Sequence, residues 1–134
     1  MHNPPVLSGR RLFPVALVAL AALTATAVVG CGGTTDDRPA KWSFVSPAIT
    51  EPSCATVNCH SAIAQKAGVD LHDRASGYAT LVGRGFVDPN MPDASAVIHM
   101  MRGEGSLRMP PDEPLPEADI QLIRDWIAAG ANND

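Results

Sequence analysis

The sequence predicts a small all-α domain of three to four short helices, and three observations carry that expectation. Apolar residues recur at helical spacing, most clearly at Ile120, Ile123, Trp126 and Ile127 near the C-terminus. Glycine and proline, 11 and 12 in 134 residues, cut the remainder into pieces too short for long elements. The piece most like a strand, Gly68-Val69-Asp70-Leu71, is short enough to be only an extended segment or a turn.

The length allows one domain. Formal net charge is −4, and only 8 of the 10 basic residues lie beyond position 30, against all 14 acidic ones. No basic cluster remains there, which argues against nucleic acid as a partner, because neutralising phosphates needs grouped Lys and Arg. The acidic balance suits a basic or neutral partner instead. Aromatic residues make up 4% of the chain, a thin supply for a domain of this size. Domains so small often need a staple or a bound apolar group.

Residues 1–30 read as an export segment. Arg10-Arg11 precede the apolar run Leu12 to Val29, which ends at Val28-Val29-Gly30-Cys31. This resembles a bacterial lipoprotein signal, with a small residue directly before the cysteine to be acylated. A membrane-spanning anchor is the alternative, since the run is at the lower edge of a spanning length. Both place the domain in an extracytoplasmic compartment. Gly32 after the cysteine resembles lipoproteins sorted to an outer membrane, facing the periplasm or the cell surface. Acylation at Cys31 attaches the chain to the membrane, and residues 31–46 then read as the lipidated cysteine and a polar tether. Trp42 and Phe44 are expected as an arm laid against the domain proper, residues 47–134.

That domain opens with Cys54-Ala55-Thr56-Val57-Asn58-Cys59-His60, after a lead-in from Pro47 to Pro52. Two cysteines with a histidine directly after the second form the end of a c-type haem attachment signature. Each thiol adds to a porphyrin vinyl group, and the histidine supplies an axial nitrogen to iron. The gap between the cysteines is two residues wider than in the usual Cys-x-x-Cys-His. Cys54 is therefore expected on a loop, and Cys59 at the start of a helix to about Lys66, with Asn58 and Ser61 near its cap and Gly68 as its stop.

A short helix is expected from about Ala75 to Val82. Another is expected from an Asp93 cap through Met101, with Val97, Ile98 and Met101 on one face and Gly103 ending it. Met109 precedes Pro110-Pro111, which stiffens the backbone and keeps Met109 out of helical geometry. Its thioether is the expected second axial ligand opposite His60. Rivals for that place are His99 first, then His72, Met91, Met100 and Met101. The last helix is expected from Glu117 to about Ala129, with acidic residues in its first turn suiting the positive helix end. Leu71, Leu81, Ile98, Ile123 and Trp126 are expected to bury the haem ring.

Gly68-Val69-Asp70-Leu71-His72-Asp73, then Pro92-Asp93-Ala94-Ser95, Met109-Pro110-Pro111 and the terminal Ile123-x-x-Trp126-Ile127-x-x-Gly130-Ala131 follow the cysteine motif in order. Over about residues 47–131 this resembles the small planctomycete-type c-type cytochrome domains. The resemblance implies an all-α cytochrome c fold around one covalent haem c, with thioethers at Cys54 and Cys59, His60 as proximal ligand and Met109 as distal ligand. It implies electron transfer, usually close to a membrane or cell-surface partner. With lipidation at Cys31 the chain reads as a membrane-anchored electron carrier between redox proteins, alone or beside an oxidase or dehydrogenase, rather than an enzyme. The competing reading is a non-haem binding or structural module in which Cys54 and Cys59 form a disulfide. A zinc site is weaker, for no second cysteine pair exists to close it.

Overall fold

The structure, a computed structural model, describes His2 and residues 36–134. The expected export segment apart from His2, the Cys31 expected to be acylated and the first part of the expected tether lie outside the described residues. All regular structure among the described residues is helical, and no helix there is long and apolar enough to cross a membrane.

The helical body begins with α1 (Trp42–Val45), passes into a π-helical turn (Ser46–Thr50) and continues as α2 (Glu51–Cys54) without leaving right-handed geometry at the joints. The wide turn has a local cause. Pro47 and Pro52 donate no backbone N–H and crowd the preceding turn, and a wider pitch relieves both defects. Trp42, Val45 and Ile49 fall at helical spacing and are all buried. Lys41 offers no side-chain cap. Asp134 serves instead, accepting from the Trp42 N–H at 3.0 Å through its carboxylate and from the Ser43 N–H at 2.9 Å through its backbone oxygen. Trp42 and Phe44 thus lie within a helix rather than on an arm, and that helix runs through Ser46-Pro47, where the sequence divides tether from domain.

Three further helices follow. In α3 (Arg74–Gly83), the Asp73 carboxylate caps the first turn by accepting from the Ser76 N–H at 2.7 Å. A 3-10 turn (Pro92–Ala94) leads into α4 (Ala96–Arg102), closed by Gly103 in left-handed geometry. The expected Asp93 cap is displaced by one short turn. Ser95 occupies the cap position, and Asp93 faces Arg124 and Arg102, which hold its carboxyl below the ordinary range. The last helix, α5 (Glu117–Ala128), starts without a side-chain cap at Pro116. It carries the predicted stripe of Ile120, Ile123, Trp126 and Ile127 into the core, joined by Leu122.

The helix expected over residues 59–66 does not form. One turn survives, closed by the Gln65 N–H on the Ser61 oxygen at 3.1 Å, before Gln65 turns left-handed. The physical reason lies in the pattern: Ala62, Ile63 and Ala64 are consecutive and make no face, and Ile63 is 92% exposed. The periodic face sits upstream, on the helix that ends at Cys54.

Trp42 stacks on Trp126 with ring centroids 4.8 Å apart, so α1 is fastened to α5. Its indole N–H donates to the Arg74 oxygen at 2.8 Å, tying the same ring to the start of α3. Gly77 on α3 lets the ring approach; a Cβ there would sit 3.0 Å from the Trp42 ring. Replacing this fully buried indole by alanine removes the stack and the hydrogen bond together. We expect Trp42→Ala to cost about 3–5 kcal/mol in denaturant unfolding, and Trp42→Phe to cost less.

Candidate functional site

The Cys54–His60 stretch is a closed turn on the end of α2. The Cys59 N–H donates to the Thr56 oxygen at 2.9 Å, and the His60 N–H donates to the Cys54 oxygen at 3.1 Å. The two additional residues are absorbed at the tip, where Val57 is 73% exposed. Cys54 is the last residue of a helix, and Cys59 lies in turns. This reverses the expected order, in which Cys54 sat on a loop and Cys59 opened a helix.

The segment downstream is laced to the motif. The Lys66 N–H donates to the Cys59 oxygen at 3.0 Å, and the Leu71 N–H donates to the His60 oxygen at 2.9 Å. Between them Gln65 and Ala67 hold left-handed backbone, at φ of 36° and 57°, which costs free energy for residues with a Cβ. Arg84 at the end of α3 grips this turn, donating to the Gly68 oxygen at 2.7 Å and the Ala67 oxygen at 3.3 Å, with its guanidinium over the Phe86 ring.

His60 Nδ1 lies 3.3 Å from the Val69 carbonyl oxygen. A carbonyl oxygen only accepts, so this contact is a hydrogen bond when Nδ1 carries the proton, the neutral tautomer that leaves the Nε2 lone pair free for a metal. This second partner orients a ligating imidazole in the way metal-binding histidines require. Sequence inspection missed Val69, because a backbone carbonyl leaves no residue signature.

Cys54, Cys59, His60 and Met109 all line one cavity of about 510 Å³, within the range of cofactor pockets. Its walls are apolar: Leu71, Leu81 and Phe86 come from the α3 region, and Val97, Met100 and Met101 from α4. Met109 is brought there by its backbone N–H, which donates to the Met100 oxygen at 2.9 Å. The Met109–Pro110 peptide bond is cis. Of the residues expected to bury the ring, Leu71 and Leu81 line the cavity. Ile98, Ile123 and Trp126 pack in the core without lining it. Phe86 and Val97 take their place.

The rival ligands separate by position. His99 does not line the cavity; its Nδ1 pairs with Glu104 on the surface. His72 is held between Asp70 and Asp73, and the first of these raises its pKa. Met91 is exposed. Met100 and Met101 do reach the cavity wall. Among the described residues no group of three or more His, Cys, Asp or Glu is gathered to hold a metal ion. One imidazole and one thioether would instead suit an iron whose remaining donors come from a cofactor. The apolar walls, the paired thiols and the oriented imidazole fit a haem.

Cys54 and Cys59 are free thiols. Burial against the cavity wall pushes the Cys54 thiol up to about 11, with the neighbouring Cys59 adding to the rise.

Residues 57–113 match the family model described as Planctomycete cytochrome C. The matched segment contains Cys59, His60 and Met109 and begins after Cys54. No curated protein and no solved structure matches.

The raised Cys54 value has a measurable consequence in the haem-free thiol form. An unperturbed thiol ionises near about 8.5, so the fold favours the protonated form. That stabilisation is complete below about pH 8.5 and is lost as pH rises towards about 11. Alkylation of Cys54 is expected to climb about tenfold per pH unit through pH 8–10, followed by peptide mass. A plateau near pH 8.5 would contradict the burial.

Proposed function

We propose, from the match of residues 57–113 to the Planctomycete cytochrome C family model, that the chain is a monohaem c-type cytochrome, a membrane-anchored one-electron carrier. The family implies haem c. The observation that carries the finer reading is convergence: Cys54 at a helix end, Cys59 and His60 in a closed turn and Met109 before a proline pair all line a single apolar cavity.

In this reading Cys54 and Cys59 form the thioethers, His60 is the proximal ligand through Nε2, and Met109 is the distal ligand. Bound haem c supplies one-electron cycling between Fe(III) and Fe(II). The residues supply the rest. Val69 holds the His60 ring in one tautomer and one orientation. Pro110 and Pro111 brace the backbone next to Met109. Leu71, Leu81, Phe86 and Val97 exclude water from the cavity, which favours the less charged, reduced state. With His60 and Met109 both supplied by the chain to hold the group, electron transfer would ask for little rearrangement.

Acylation at Cys31 anchors this domain at an outer membrane, outside the cytoplasm. Two or more acyl chains hold far more firmly than the marginal binding of one. The carrier works between a donor and an acceptor redox protein, alone or as a subunit beside an oxidase or dehydrogenase. Its acidic balance favours basic or neutral partners, through an attraction that salt weakens.

The test is a denaturing gel stained for haem peroxidase activity, on protein exported in a host with cytochrome c maturation machinery. A stained band at the mass of this chain, surviving SDS and heat, is the expected result. A blank lane with Cys54 paired to Cys59 points to the disulfide-stabilised module instead. Cys59→Ala or Cys54→Ala is expected to at least halve covalent haem retention, and His60→Ala to remove the low-spin spectrum. Met109→Ala is expected to keep the haem attached and lose the methionine-type ligand signal; a surviving signal moves that ligand to Met100 or Met101.

A further inference from the structure

Of the lysine, arginine, aspartate and glutamate residues, Lys66 alone lines the cavity. Apart from Ser53, the thiols and His60, the other side chains around it are apolar. Among the described residues Lys66 makes no ion pair with Asp or Glu, whereas Arg38, Lys41, Arg102 and Arg124 all do. Arg74, Arg84 and Arg108 likewise have no acidic partner among the described residues, but none of them lines the cavity; Lys66 is the one cation placed at its lip.

Its backbone is fixed. The Lys66 N–H is bonded to the Cys59 oxygen, and the two following carbonyls are gripped by Arg84. The left-handed residues on either side, Gln65 and Ala67, set the direction in which the chain presents it. The residue is exposed and lines the cavity, a position in which a lysine can keep its ammonium in water.

We propose that Lys66 is the recognition residue for a carboxylate of the cofactor, ion-pairing with one haem propionate at the cavity mouth. This rests on the haem reading above. A carboxylate pressed against the apolar walls would be costly to desolvate, so a propionate belongs where water and a cation meet it. An exposed pair of this kind adds little stability. Its effect is to hold that propionate beside the Lys66–Gly68 turn, in the ring orientation that the two thioethers impose.

Zero-length carbodiimide coupling of the haem-loaded protein tests the contact. The reagent activates a carboxylate, the Lys66 amine attacks it, a C–N amide bond forms and the activator leaves as a urea carrying one carboxylate oxygen. The net change is loss of one water. Lys41 and Lys66 are the only lysines, and Lys41 beside Asp134 at 3.7 Å serves as the internal control for coupling. The expected result is a haem-bearing tryptic peptide that no longer ends at Lys66, runs on to Arg74 and is lighter by one water, with fragmentation placing the amide on the haem. Lys66→Arg is expected to keep the haem and lose this product. Cleavage after Lys66 that persists while Lys41 couples, or an amide from Lys66 to Asp70 or another side chain, overturns the proposal. A coloured protein with no Lys66–haem amide refutes this pairing alone; a colourless protein refutes the haem reading with it.

Discussion

The contact on which the rest depends is the stack of Trp42 on Trp126. It joins the first helix to the last, and the same indole reaches α3 through its N–H. Because the helical stretch from Trp42 continues to Cys54, a ring buried at one end determines where a thiol emerges at the other. The C-terminal residues complete this arrangement. Asp134 caps the first helix, and the carbonyls of Ala131 and Asn132 accept from Tyr78 and Trp126.

Two apolar systems share a chain with few aromatics. One is a closed core, where Trp42, Ile49, Ile98, Ile123, Trp126 and Ile127 are almost fully buried against one another. The other is the wall of the cavity, drawn from α2, α3, α4 and the segments between and after them, with Leu71, Leu81 and Met101 belonging to both. On α4, Ile98 turns into the core while Val97 and Met101 reach the cavity, a division set by the rotation of about 100° per residue along a helix. A helix only seven residues long thus serves both.

The motif region achieves order without a helix. Its backbone groups are paired by turns, from Cys54 with His60 through Cys59 with Lys66 to His60 with Leu71. Left-handed Gln65 and Ala67 are the local cost, offset by these pairings and by the Arg84 grip. The wider cysteine gap is accommodated outward, at exposed Val57, and both thiols still line the cavity.

What the sequence determined by itself was local and periodic. The stripe of α5, the extent of α3, the Gly103 stop and the Cys59-His60 and Met109-Pro110-Pro111 signatures were legible because each depends on near neighbours along the chain. Tertiary structure decided the rest. Trp42 looked like part of an arm because its helix is capped by Asp134 and paired with Trp126, both far away in sequence. Asp93 read as a cap, yet its carboxylate is claimed by Arg124 from another helix. His99 was the leading rival ligand by spacing, and only the packing of α4 turns it to the surface beside Glu104. The Val69 carbonyl that orients His60 is invisible in any sequence, since every residue has one and only the fold brings this one to the ring.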